Sequence, residues 1–341
     1  MKRAIILIAI TLLIVSFVAL HLRNKIYEPN VTKSGMLYIP SNANFEQSLG
    51  LINPFLENTQ SFKWVAKQKN LDRYIKPGKY KIDEKMSNNE VINLLRSGKQ
   101  SPVRLTFNNQ DSLEKLASRV SQQIEADSIS LISAFYNPEF LEKHNFNFQN
   151  AIDIYIPNTY QFFWNTSAIG FRNRMLREYQ RFWTQERLDK ANKLRLTPKE
   201  VITLASIVQK ETSHVPERRI VAGLYLNRLK ANWNLQADPT VIFALKQTFG
   251  DSISVKRVLS RDLKTTSAYN TYLCKGLPPG PISMPDISSI DAVLNPALHN
   301  YYFMCASTTE IGEHVFAKTN RQHQINARKY HRWLNKQGLK R

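Results

Sequence analysis

Cysteine and acidic residues are the two residue classes of which this sequence has little. Its 341 residues include only two cysteines, Cys274 and Cys305. Two thiols exclude a scaffold held by several disulfides, and they exclude a Cys₄ zinc site built within one chain. Asp and Glu number 27 against 47 Lys and Arg, which leaves a formal net charge of +20. That charge predicts a polyanionic partner: nucleic acid, an anionic membrane surface or an acidic polymer.

The apolar content and the length fit a folded protein. Hydrophobic residues make up 43% of the chain, which excludes wholesale disorder. The chain is also long enough for two ordinary domains, each with its own core.

The N-terminal segment predicts a membrane anchor. Residues 4–20 are apolar except for two hydroxyl side chains. The uncharged run up to Leu22 is about 19 residues, or roughly 28 Å as a helix, which is close to one bilayer core. No A-x-A cleavage site follows, so an uncleaved anchor is favoured over a cleaved signal peptide, and over a buried core helix. The basic start Lys2-Arg3 favours a cytoplasmic N-terminus. Residues from about 26 onward would then lie outside the cytoplasmic (inner) membrane, out of reach of cytoplasmic nucleic acid.

The sequence predicts an α+β protein with three parts. Residues 1–25 are the cytoplasmic tail and anchor, residues 36–107 form a small α+β subdomain, and residues 111–341 form a larger mixed α/β domain. In the subdomain, Ser87 is placed to cap a helix that stops near Gly98.

Two long helices are also predicted. One runs from Phe45 to about Lys69. The other, strongly basic, runs from Gly170 to about Lys193.

One carboxylate lies on the apolar face of a predicted helix. Residues 197–200 (Thr-Pro-Lys-Glu) are a capping box with proline at the first helical position. The stripe that follows consists of Val201, Leu204, Ala205 and Val208, and its next position is Glu211. Desolvation and the negative end of the helix dipole would both raise the pKa of Glu211, as a general acid near neutrality requires. The open alternative is that Glu211 lies beyond the stripe, in solvent.

The next segments carry polar residues that could line a cleft. Asn227 lies on the apolar face of the following predicted helix, where a buried amide needs a structural or ligand partner. Asp238 precedes Pro239, and we interpret it as a helix N-cap in preference to a direct catalytic residue. Residues 269–272 and 276–282 are rich in Tyr, Asn, Pro and Gly, which is typical of rigid loops that position side chains for a sugar.

No metal or organic cofactor is predicted. His314 and His323 lie nine residues apart, a spacing that matches no common metal signature. We interpret both as loop or core histidines.

Six motifs in one order resemble a known family. They are ASIVQKET (205–212), LNRL (226–229), LQADPTVI (235–242), YNTY (269–272), GLPPGPI (276–282) and GEHVFAKT (312–319). Together they resemble the endolytic murein transglycosylases, the MltG or YceG-like family. The resemblance is dense from about 150 to 325, where residues 156–160 (IPNTY) add to it. It is thinner over residues 36–107, where KPGKY and LRSGK resemble the family's LysM-like subdomain.

The resemblance implies a membrane-anchored lyase that cuts peptidoglycan glycan strands, and it also suggests peptidoglycan synthases as partners. The family's catalytic glutamate falls on Glu211. In this mechanism one glutamate first protonates the glycosidic oxygen and then acts as base on the muramyl C6 hydroxyl, which leaves a 1,6-anhydro end. The residues implied to shape the cleft are Asn227, Gln236, Asp238, Thr240, Asn270 and Tyr272.

One residue departs from the family pattern. Many members have a glutamate where this chain has Gln209, and its absence removes a negative charge that could raise the pKa of Glu211.

Two other functions stay open. One is a two-carboxylate muramidase with Glu211 as acid and Asp238 as partner. The other is a non-catalytic envelope-binding protein.

Overall fold

The structure, a computed structural model, describes residues 2–250, 253–255 and 257–336. They form two compact units. The first consists of residues up to Leu105 with Val120–Asp127 and Tyr160–Ser167, and the second contains the remaining segments. Helices and strands are mixed in both units, as the α+β prediction requires.

The first unit is built around a two-stranded antiparallel sheet. Its elements are α1 (Lys2–Tyr27), β1 (Gly35–Ile39), α2 (Phe45–Ile52), a 3₁₀ turn (Asn53–Phe55), α3 (Thr59–Gln68), α4 (Leu71–Tyr74), β2 (Gly78–Ile82) and α5 (Asn88–Ser97). The register of β1 and β2 runs from Gly35 opposite Ile82 to Ile39 opposite Gly78. Alternate residues, Leu37 and Tyr80 among them, are buried in one core with side chains of α2, α3 and α5.

Local signals in this unit gave one correct and one wrong helix prediction. Ser87 caps α5 in a complete capping box, and Gly98 ends that helix in the left-handed region at φ 70°, which confirms both predicted boundaries. The single helix predicted from Phe45 to about Lys69 is wrong. The chain leaves the helix in a 3₁₀ turn that contains Pro54, and Asn58 starts α3 by accepting a hydrogen bond from the Ser61 amide.

Helix α1 is long and apolar enough to cross a membrane, and none of its residues is buried within the protein. Its C-terminal end joins the first unit, because the Asn88 side chain donates to the Lys25 carbonyl at 2.8 Å and Ile26 packs on the core. The helix therefore fits a single membrane anchor.

Three elements have residues in both units. They are β3 (Val103–Phe107), α6 (Leu113–Ser121) and β4 (Asn158–Phe162), of which β3 and β4 pair in a two-stranded sheet.

The second unit has α11 at its centre. Its helices and strands are α7 (Ser128–Phe135), α8 (Pro138–Lys143), α9 (Ala168–Phe182), α10 (Gln185–Lys193), α11 (Pro198–Glu211), α12 (Arg218–Lys230), α13 (Asp238–Phe249), α14 (Ile287–Leu294), β5 (Phe303–Ala306), β6 (His314–Ala317) and α15 (Asn320–Lys336). Every residue of α11 from Val201 to Val208 is buried, and the helix contacts α10, α12, α13 and α14. This burial fixes the position of the helix end that carries Glu211.

The prediction of one long basic helix from Gly170 to about Lys193 is wrong. The segment forms two helices, because Thr184 caps α10 by accepting a hydrogen bond from the Arg187 amide. The domain boundaries, and the LysM-like character of residues 36–107, stay predictions.

Candidate active site

The start of α11 follows the sequence signal, and its end places Glu211 against the core. The capping box between Thr197 and Glu200 is complete, with Pro198 at the first position. Glu211 is the last residue of the helix and keeps only part of its surface exposed. The alternative in which this carboxylate lies free in solvent is therefore wrong.

Glu211 is held by a buried tyrosine. The Tyr225 hydroxyl, on α12, donates to Glu211 Oε1 at 2.5 Å, and Tyr225 is 1% exposed. Among the described residues this is the one hydrogen bond to the carboxyl group, so Oε2 is left for another partner. A tyrosine proton that points at one oxygen fixes the carboxyl orientation and stabilises its anion.

Burial sets the protonation of Glu211. Desolvation by the surrounding protein raises the pKa of Glu211 from the ordinary 4.5 to about 7, and the charge of Asp238 adds to this rise. The Tyr225 hydrogen bond and the charges of His314 and Arg228 oppose it. Glu211 can therefore give and take a proton near neutrality.

Asp238 lies near Glu211 but is not a helix cap. Helix α13 begins at Asp238, and its N-cap is Ala237, so the predicted N-cap role of Asp238 is wrong. The exposed carboxylate accepts a 2.6 Å hydrogen bond from the Tyr272 hydroxyl through Oδ1. Asp238 and Tyr272 thus act as a pair at the edge of the site.

Arg228 supplies a buried positive charge beside Glu211. Its Nε donates to the Tyr302 carbonyl at 2.8 Å, and a terminal nitrogen donates to the Leu235 carbonyl. The guanidinium therefore ties the loop before α13 to the chain that enters β5. Tyr225 and Arg228 were not identified as site residues from the sequence, although Arg228 lies within the LNRL motif, next to Asn227, which was predicted.

A hydrogen-bonded Glu–His pair lies close to these groups. Glu217 is 5% exposed, and it accepts from the His314 backbone amide at 2.6 Å and contacts His314 Nδ1 at 2.8 Å. The interpretation of His314 as a packed loop or core histidine agrees with this contact, and His314 is close enough for its charge to act on Glu211.

Two of the predicted cleft residues, Asn227 and Thr240, hold loops in place. The Asn227 amide donates to the carbonyls of His299 and Tyr301 at 2.8 and 3.1 Å. The Thr240 hydroxyl bonds to the Ala237 carbonyl, and its oxygen lies 2.8 Å from the Thr271 hydroxyl.

Asn270 is fully buried and holds the loop that carries Tyr272. Its side-chain nitrogen donates to the carbonyls of Leu263 and Thr265, and its oxygen accepts from the Tyr272 amide.

Gln236 is exposed, as Asp238 is, but its side chain has no partner among the described residues. Its backbone is left-handed at φ 51°, and its backbone N–H donates to the Thr271 carbonyl at 3.0 Å. Its side chain is exposed and makes no hydrogen bond with a described residue. Gln236 therefore has a free amide for a ligand, in contrast to Asn227 and Asn270.

Gln209 faces away from this site. Its side-chain oxygen accepts from the Asp286 amide at 2.6 Å and from the Ser289 hydroxyl at 3.1 Å, at the start of α14. Residues two apart on a helix point to different sides. Gln209 thus anchors α14 to α11.

Within the described part of the chain, no three His, Cys, Asp or Glu side chains are grouped so that they could hold a metal ion. Cys274 and Cys305 are free thiols, and both are partly buried.

Comparison with known proteins places this chain in a family. The model of the YceG-like family matches residues 37–329. The endolytic murein transglycosylase of Bacillus subtilis (strain 168) is 25% identical over 309 residues, which cover 86% of this chain and 83% of that protein. The protein of the same name from Streptococcus pneumoniae (strain D39) is 27% identical over 292 residues, and the match covers 78% of this chain but only 52% of that relative. This chain therefore spans about half the length of the streptococcal relative.

A solved structure shows the same fold. The crystal structure of a yceG-like protein from Listeria monocytogenes, at 2.6 Å, matches 86% of this chain and 98% of its own with a TM-score of 0.55 and 24% identity. Since the family model also spans most of the sequence, the chain belongs to the YceG-like family.

Proposed function

We propose that this protein is an endolytic lytic transglycosylase. It would cut the β-1,4 bond between N-acetylmuramic acid and N-acetylglucosamine within peptidoglycan strands and leave 1,6-anhydro-muramyl ends. The names of the curated relatives support this class of substrate and reaction. The observation that carries the proposal is Glu211, a carboxyl group with a pKa of about 7 that is held at one oxygen by the buried Tyr225.

The first step is proton donation by Glu211. At neutral pH about half of the Glu211 side chains are protonated, because the pKa is close to the pH. Tyr225 occupies Oε1, so we propose that Oε2 carries the proton that Glu211 donates. Its transfer to the glycosidic oxygen breaks the bond to muramyl C1 and leaves Glu211 as an anion beside the positive charge that develops on the sugar.

The second step is proton removal by the same residue. The Glu211 carboxylate takes the proton of the muramyl C6 hydroxyl while O6 bonds to C1, which closes the anhydro ring and restores the acid. No water is consumed, so no second carboxylate is needed to activate one. The Tyr225 hydrogen bond would stabilise the anion between the two steps. We assign to Asp238, whose charge acts on Glu211, the support of the positively charged sugar.

A two-carboxylate muramidase is the second candidate, and one observation favours keeping it. The charge of Asp238 acts on Glu211, so a second carboxylate does lie near the acid. Its Oδ1 is bound to Tyr272, which suits a residue that is held in place.

Product analysis separates the candidates. Purified peptidoglycan would be digested with the full-length protein, and the soluble products measured by mass spectrometry. Anhydro ends support the transglycosylase, reducing ends support the muramidase, and an intact polymer supports a non-catalytic binding protein. Glu211→Gln should abolish the anhydro products. Glu186→Gln is the matched control, because it makes the same change at an exposed residue of α10.

We further propose that α1 anchors the protein once in the cytoplasmic membrane, with the basic N-terminus inside and both units outside. The apolar, unburied surface of α1 supports anchoring. Added protease should digest the protein in spheroplasts with intact membranes, and protection until the membrane is opened would contradict this orientation.

Such an enzyme could end the elongation of glycan strands beside a peptidoglycan synthase. Cells that carry only the Glu211→Gln protein should then have longer strands than cells that carry the wild type.

A further inference from the structure

A cavity outside the Glu211 site lies between two helices of the second unit. It has a volume of about 470 Å³, and α8 with its flanking residues forms one wall while α9 forms the other. Three Lys or Arg side chains line it against a single Glu, and Asn173 and Gln180 add amide groups. The cavity thus carries an excess of positive charge.

Arg172 is the buried base of this cavity. It is only 9% exposed, and its guanidinium lies 3.7 Å from the centre of the Phe140 ring. Nη1 donates to the Ala134 carbonyl, while Nε and Nη2 both donate to the Asn173 side-chain oxygen. These three bonds leave two of the five guanidinium N–H groups for another acceptor.

No carboxylate neutralises Arg172. In the part of the chain that the structure describes, no Asp or Glu forms an ion pair with it, and burial lowers its pKa. Buried charges in proteins are normally paired, because an unpaired charge loses its hydration without compensation. An anionic ligand would supply the missing partner.

The other cations stand at the exposed part of the cavity. Lys143 and Arg177 are exposed, and neither forms an ion pair with a described residue. His144 also lines the cavity, and burial and the charges of Lys143 and Arg172 lower its pKa. An entering anion would therefore meet exposed cations first and Arg172 last.

We propose that this cavity binds the carboxylates of the peptide stems on the peptidoglycan strand. The proposal rests on the proposed function, which makes a stem-bearing glycan the substrate. A concave site of this size accepts a short, protruding acidic chain, whereas a flat layer of lipid head groups could not reach its buried arginine. The carboxylates bind Arg172 and Lys143 in charge-assisted hydrogen bonds and hold the strand at a second point, separate from Glu211.

The test compares binding of two forms of the same strand. Full-length Glu211→Gln protein in detergent would be titrated with fluorescently labelled glycan strands that keep their peptide stems, and with the same strands after enzymatic removal of the stems. The double variant Lys143→Glu/Arg177→Glu would be compared with Lys193→Glu/Lys329→Glu. The control pair makes the same charge change at exposed residues outside the cavity.

We expect the cavity variant to raise the Kd for stem-bearing strands about tenfold, and the control much less, since two exposed charge contacts each change affinity by a few-fold. Stripped strands should bind both variants equally. An unchanged Kd for stem-bearing strands would overturn the proposal, and so would an equal loss for both strand forms, which would indicate a general polyanion surface.

Failure of the proposed function would look different. The wild type would then release no anhydro products, while the comparison of stem-bearing and stripped strands would still read out the cavity.

Discussion

Removal of the Tyr225 hydroxyl should shift the pH dependence of the reaction upward. In Tyr225→Phe the ring keeps its buried position, but the 2.5 Å hydrogen bond to Glu211 Oε1 is lost. This bond lowers the pKa of Glu211, because it stabilises the carboxylate more than the acid. Without it the pKa must rise further above its ordinary value.

The size of the shift follows from the strength of such a bond. A hydrogen bond to a charged group contributes about 1.5–3 kcal/mol, and about 1.4 kcal/mol corresponds to one pH unit. The descending limb of the pH profile, near pH 7 in the wild type, should therefore move up by about one to two pH units. Turnover at the optimum should fall by about tenfold, because the carboxylate formed between the two steps loses its donor.

The assay is the rate of release of anhydro-ended fragments, measured from pH 5 to 10 at a substrate concentration well below KM. Tyr74→Phe is the control, since it removes a hydroxyl from an exposed tyrosine of the first unit. A descending limb that stays in place, or moves to lower pH, would refute the assignment of Tyr225 as the group that holds the Glu211 carboxyl.

Three further predictions follow from the site. Glu211→Gln should stabilise the fold relative to the wild type, and increasingly so as the pH rises from about 4.5 to 7. The reason is that the pKa of Glu211 is raised in the folded protein, so the wild type loses stability over that pH range. The gain is at most about 3 kcal/mol at pH 8, and urea unfolding at pH 5 and 8 measures it. An equal effect at both pH values would contradict the buried ionisation. Asp238→Asn should move the descending limb to lower pH, since the charge of Asp238 raises the pKa of Glu211, while the products keep anhydro ends; complete loss of products would instead favour Asp238 as a second catalytic carboxylate. Asn270→Ala should lower the free energy of unfolding by about 2–4 kcal/mol, because it leaves the carbonyls of Leu263 and Thr265 without their donor. The control Asn192→Ala, at an exposed position, should change the free energy of unfolding little. Equal urea midpoints for these two variants would show that the Asn270 bonds do not hold the loop.

The position of Glu211 was predictable because its signals are local. The capping box, the proline and the stripe of Val201, Leu204 and Val208 all belong to one helix, and the spacing extends directly to the carboxylate. Helix geometry alone places such residues on one side.

The partners of Glu211 were not predictable in this way. Tyr225 belongs to the next helix, and the contact of His314 with Glu217 joins residues 97 positions apart. Pairings of this kind depend on how helices pack, and no spacing in the sequence records them.

Asp238 shows how a tertiary contact overrides a local signal. The Asp-Pro pair is typical of an N-cap, but the Asp238 carboxylate instead accepts a hydrogen bond from the hydroxyl of Tyr272, 34 residues later. The backbone of the actual N-cap, Ala237, is held instead by hydroxyl groups of Thr240 and Thr271.

Digestion in H₂¹⁸O tests the central claim most directly. Full-length protein would be incubated with peptidoglycan in labelled water, and the muramyl ends of the released fragments measured by mass spectrometry. If Glu211 alone acts as acid and then as base, the fragments end in 1,6-anhydro-muramyl groups without ¹⁸O, and Glu211→Gln releases none. Reducing ends that carry ¹⁸O would contradict this account, because they would show that water, not the C6 hydroxyl, attacks the sugar.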